Sequence, residues 1–129
     1  MKLLKEYIID PYRLRVLVIV NKTKEEICKD KLVKKYYKHL IDYIEINDIT
    51  ESLGLCVSFE NNDNVIILNE ASQHDMVEAI IHESTHATQF IMECVGTVYS
   101  QDSWETYAYT QSFIASNILK DCKLIKVRK

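Results

Sequence analysis

The chain has 129 residues, 47% hydrophobic and 27% charged, which is room for one domain with one core and too apolar for wholesale disorder. Its net charge of −3, with the basic residues spread through the first half and the tail, gives no reason to expect nucleic acid as the main partner. The four cysteines, Cys28, Cys56, Cys94 and Cys122, form no C-x-x-C pair, so a thiolate zinc site is not expected and reduced thiols in a cytosolic compartment fit best.

The start, Met1-Lys2-Leu3-Leu4-Lys5-Glu6, reaches a charge before any apolar run develops, so no secretory signal is expected. The longest apolar run, Val16 to Val20, is far too short to span a bilayer. Tyr12 to Val20 alternates and then becomes wholly apolar, which predicts a strand introduced by the Asp10-Pro11 turn. Thr23 and Glu26 form a capping box. Behind it Val33, Tyr36, Tyr37, Leu40, Ile41 and Ile44 recur at helical spacing, predicting one amphipathic helix of about five or six turns. Lys34, Lys35 and Lys38 fall mostly off that stripe, on a solvated face with His39.

Ile46 to Leu53 reads as a connection. Leu55 to Phe59 and Val65 to Leu68 flank the turn-forming cluster Glu60 to Asn64 and predict a hairpin. Ser72, with Asp75 at the capping-box position and His74 solvated beside it, opens a helix that ends near Gly96. A last helix covers roughly Ser103 to Leu119, and the structure of the short basic tail from Asp121 stays open. The expectation is a single domain over 1–129 of α+β class. In it a small antiparallel sheet packs on the 72–96 helix and on the helix after it.

His82-Glu83-Ser84-Thr85-His86 is H-E-x-x-H and falls in the middle of the 72–96 helix. Residues four apart share one helix face, so two imidazoles can converge on one metal ion. The glutamate beside the first histidine flanks the ion and can take a proton from a water that the metal activates. The competing account is a surface helix with two unremarkable histidines. Cys94, two turns on, reads as a small buried residue rather than a ligand.

A catalytic zinc takes three protein ligands and keeps a fourth position open. Glu105 follows His86 after eighteen intervening residues, a spacing that lets one helix finish and the next return beside it. From Glu105 the helical repeat selects Ala108, Tyr109, Ser112, Ala115 and Ser116, a mostly small face that could pack against the H-E-x-x-H helix. Asp102-Ser103-Trp104-Glu105 also fits a capping box, and Asp102 is the alternative third ligand.

H-E-x-x-H, then eighteen residues and a glutamate, resembles the zinc signature of gluzincin metallopeptidases. The longer pattern HESTHATQFIMECVG followed by WETYAY is similar to small zinc metallopeptidases of phages and prophages, of the minigluzincin kind. The likeness covers about Val65 to Phe113, and the N-terminal half only by element order. It implies zinc bound by His82, His86 and Glu105, with Glu83 as general base for peptide hydrolysis. It also implies an edge strand above the active-site helix that holds substrate by β-addition, for which Val65 to Asn69 is the candidate.

One departure stands out: many gluzincins carry an aspartate four residues after the ligand glutamate, and this chain has Tyr109. Tyr109 is read either as a partner that orients a ligand or polarises a carbonyl, or as a packed tyrosine. The expected partner is a peptide or protein substrate, with no nucleic acid and no membrane, and self-association into a homo-oligomer stays open. The implied location is a bacterial host cytoplasm or a virion. The alternative function is a zinc-stabilised structural or interaction protein of a phage that keeps the site without turnover.

Overall fold

Five consecutive residues, Val16 to Val20, have no solvent exposure at all. A strand reaches that state only when it is flanked by other strands and covered on both faces. The computed structural model describes residues 1–126 and builds that cover from five helices around one sheet. The strands are β1 (Leu3–Ile9), β2 (Leu14–Val20), β3 (Gly54–Ser58) and β4 (Asn64–Leu68). The helices are α1 (Lys24–Lys29), α2 (Lys31–Tyr36), α3 (Lys38–Ile46), α4 (Gln73–Cys94) and α5 (Trp104–Asp121), with a 3-10 turn Gln101–Ser103 before α5.

The sheet order is β1-β2-β4-β3. Because strand side chains alternate, the two faces of the central strands feed two cores. Val16, Val18, Val20, Ile66 and Leu68 pack against Ile80, Ala87 and Ile91 of α4 and Ile114 and Ile118 of α5. Leu17, Ile19, Val65 and Ile67 pack against Ile27, Val33, Leu40 and Ile44 of α1 to α3 and against Tyr37 at the α2–α3 junction. The domain is therefore three layers, α+β, with the sheet in the middle. No helix among the described residues is long and apolar enough to cross a membrane.

The structure corrects the sequence reading in four places. First, the sheet is mixed rather than antiparallel: β1 to β2 and β3 to β4 are antiparallel, but β2 runs parallel to β4, with α1 to α3 forming the crossover. Second, Leu3–Ile9 is a strand, with Tyr7 and Ile9 buried. Third, the long helix is three short ones. Asp30 ends α1 and caps α2, its Oδ1 accepting from the Leu32 and Val33 amides at 2.9 and 3.2 Å. Tyr37 then breaks the chain again with φ −127°.

The fourth correction bears on function. Val65 to Leu68 lie in β4, paired on both sides, so this strand has no open edge to offer a peptide. The strand that is both at the sheet edge and beside α4 is β3. Helix α4 itself begins under the Ser72 cap, ends at Cys94 and is closed by Gly96 (φ +72°), where Thr97 N donates to Met92 O and Gly96 N to Glu93 O. That paired closure needs a left-handed residue, which glycine adopts at no steric cost. It turns the chain back so that α5 packs along α4.

Candidate metal centre

Helix α4 buries Met76, Ala79, Ile80, Glu83, Ser84, Ala87, Thr88, Ile91 and Met92, a stripe at spacings of three and four. His82 and His86 stand beside that stripe and are exposed. Their Nε2 atoms face each other at 3.2 Å, with ring centroids 4.8 Å apart. Two nitrogens each about 2.05 Å from a tetrahedral zinc would stand about 3.3 Å apart. The donor pair thus fits that ion in chemistry and in spacing. His86 Nδ1 lies 3.1 Å from Gln89 Oε1, so with Nδ1 protonated the amide oxygen accepts from it, leaving Nε2 as a lone-pair donor.

Glu83 is the odd member of the buried stripe, a carboxylate 7% exposed. It fits because β3 begins with a glycine: a Cβ at position 54 would come within 2.9 Å of Glu83 Oε2 and 3.0 Å of its Cγ. Burial raises the Glu83 pKa, and the neighbouring His82 and His86 oppose that rise. The same carboxylate acts on Cys56 of β3, whose thiol is pushed up to about 12, chiefly by burial and then by the Glu83 charge. Cys56 Sγ donates to Asn64 Oδ1 at 3.2 Å, and Asn64, fully buried, donates to the Ala87 carbonyl at 3.5 Å. These contacts tie β3 and β4 to the H-E-x-x-H turn of α4.

Among the described residues, His82, Glu83 and His86 bring their ligand atoms within 4.8 Å of one another, as do His74, Asp75 and Glu78. Glu105 and Asp102 belong to neither group. The reason lies in how α5 is turned. It buries Thr110, Ile114 and Ile118. Glu105 is nine residues before Ile114, about two and a half turns, and so points away from the packed face. Gln111 instead faces the site, its Nε2 donating to Thr85 Oγ1 at 2.6 Å. Glu105 lies about 9 Å of helix rise from Gln111.

The face expected to pack on α4 is accordingly not the main packed one: Ala108, Tyr109, Ser112 and Ser116 are exposed, and of the five only Ala115 packs against the core. Tyr109, 73% exposed, lines a hollow with Pro11, Tyr12 and Phe113 on the far side of α5. Its exposure is not that of a packed tyrosine. Asp102 caps nothing in α5, whose N-cap Ser103 makes no side-chain cap; Ser100 and Ser103 instead hold the 3-10 turn before it, Ser100 N donating to Ser103 Oγ at 2.9 Å. His39 and His74 are exposed, and Cys94 is half-buried with its Sγ toward Asn62.

Sequence reasoning did not find Gly54, Cys56, Asn64, Gln89 or Gln111 as neighbours of the site. Gln89 was reachable, since it stands one turn from His86 on the same helix. The others depend on tertiary packing. Comparison with protein-family models, curated proteins and solved structures finds no match for this chain.

Proposed function

We propose that this chain is a zinc-dependent peptidase. The observation that carries the reading is the 3.2 Å approach of the His82 and His86 Nε2 atoms on an exposed helix face, with the Glu83 carboxylate one residue along. His82 and His86 would hold the ion. Glu105 is the proposed third ligand, with Asp102 as the alternative. Zinc at this place supplies a Lewis acid that lowers the pKa of water and polarises a carbonyl.

The chain's own residues do the rest. Glu83, held between α4 and β3, takes a proton from the attacking water and returns it to the departing amine. The open edge of β3, which starts at Gly54 against Glu83, accepts an extended peptide by main-chain hydrogen bonds. The site lies open to solvent between β3 and the 81–86 turn of α4, where His82 lines two adjoining hollows.

Glu83→Gln tests the reading. It preserves size and removes the base, so zinc uptake should stay at the wild-type level while peptide hydrolysis falls about 10²–10⁴-fold. Hydrolysis that survives the substitution unchanged contradicts the assignment. One observation favours a second reading, a zinc-stabilised structural or interaction module: Glu105 and Tyr109 stand apart from the histidines. That module would hydrolyse nothing in either form, and His86→Ala would lower its melting temperature in the presence of zinc whereas Glu83→Gln would not.

A further inference from the structure

A second cavity, of about 480 Å³, opens between α4, α5 and the connection that joins them. Tyr99, Trp104 and Tyr107 wall it, and among the described residues no charged side chain lines it. Tyr107 is fixed by its hydroxyl, which donates to Thr97 O at 3.0 Å. Tyr99 meets the Tyr107 ring edge-to-face at 4.8 Å and lies 6.5 Å from the Trp104 ring. Yet Tyr99 and Trp104 remain 64% and 50% exposed. Rings clustered and left half-wet around a concavity mark a binding surface more than a core.

Its position gives it a use. Thr85 lines both this cavity and the hollow at His82 and His86, and Gln89 lines it while contacting His86 Nδ1. The larger hollow beside Tyr109 touches neither histidine. We infer that this cavity binds an uncharged aromatic side chain of the peptide, next to the bond presented to the His82–His86 centre. An aromatic ring fits for two reasons. The walls offer ring edges and faces for offset or T-shaped contact. The uncharged lining leaves a lysine or glutamate head without a partner. The assignment of the ligand as substrate rests on the peptidase reading; the binding itself does not.

Trp104 is the chain's single tryptophan and reports on the cavity directly. The experiment titrates the full-length protein with N-acetylphenylalaninamide, N-acetylalaninamide and N-acetyllysinamide, with and without zinc, and follows tryptophan emission. The phenylalanine compound should change emission saturably, at least about tenfold more tightly than the other two. Ala108→Leu, at an exposed helical position lining the cavity, should fill it and weaken that binding by about tenfold or more while melting as wild type does. No saturable response, no preference for the aromatic compound, or undiminished binding in a folded Ala108→Leu protein each overturns the inference. A peptide library run alongside separates the two ideas. Hydrolysis without preference for an aromatic residue overturns the pocket and spares the peptidase. Aromatic binding without hydrolysis of any peptide supports the pocket and removes the peptidase.

Discussion

Gly54→Ala probes the packing that holds Glu83. The new methyl group would stand 2.9 Å from Glu83 Oε2, 3.0 Å from its Cγ and 3.4 Å from the Ala79 Cβ, where ordinary carbon contacts begin near about 3.5 Å. The carboxylate oxygen could swing away, but Cγ can move only by changing the torsions nearer the backbone. An off-rotamer side chain costs about 0.5–1.5 kcal/mol and overpacking about 1–3 kcal/mol. Position 54 has no left-handed backbone, so alanine itself brings no strain and returns about 0.4–1 kcal/mol by restricting the unfolded chain. The net expectation is a loss of about 1–2 kcal/mol.

A double-mutant cycle isolates the contact more sharply. In a Glu83→Ala background the obstacle is gone, so Gly54→Ala should be neutral or mildly stabilising there. A coupling energy of about 1 kcal/mol or more follows, measurable by urea unfolding of the four proteins. Equal costs of Gly54→Ala in both backgrounds would refute the reasoning, because the glycine would then matter for a reason other than Glu83.

Glu105→Ala should weaken zinc binding at least about tenfold, whereas Asp102→Ala, which caps nothing, should leave zinc binding and stability within about 0.5 kcal/mol of wild type. Zinc lost in the Asp102 variant and kept in the Glu105 variant would move the third ligand by three residues. At the other end of α5, burial pushes the Asp121 carboxyl up, but hydrogen bonds from Lys5 Nζ and the Tyr7 hydroxyl outweigh it and leave it below the ordinary range. A depressed folded pKa gives stability that is present above the unfolded value of about 3.9 and is lost as pH falls through the folded one. The melting temperature of wild type should therefore fall more steeply below about pH 4 than that of Asp121→Asn; parallel curves would contradict the pairing.

The elements that sequence reading found were those whose signals are local. The Thr23–Glu26 box, the Ser72 cap, the Gly96 stop and the Glu60 to Asn64 turn all sit within four residues of what they control. The break in the 24–46 segment was hidden because Val33, Tyr37, Leu40 and Ile44 keep helical spacing across it, although Asp30 carried a capping signal. β1 was missed because Lys5 and Glu6 interrupt it, while Tyr7 and Ile9 are buried by partners distant in sequence. The edge-strand assignment could have been corrected by composition. Val65 to Leu68 is apolar on both faces, the mark of an interior strand, whereas Gly54 to Ser58 is shorter of bulk and suits an edge.

For the site, a spacing of four on a helix was enough to place His82 with His86 and to set Glu83 beside them. Glu105 and Tyr109 depended on which face α5 presents. The sequence offered two stripes: Thr110, Ile114 and Ile118 against the small residues Ala108, Ser112, Ala115 and Ser116. Burial of β-branched bulk against the sheet outweighed the close approach that the small stripe would have allowed.

The most direct test of the account is metal content. The protein, purified without chelator and measured by elemental analysis, should carry about one zinc per chain, and His82→Ala and His86→Ala should each lose it while remaining folded. A wild-type protein that holds no metal and takes up none when zinc is added would contradict both the peptidase and the zinc-module readings. The 3.2 Å approach of the two imidazoles would then be a hydrogen bond between histidines and nothing more.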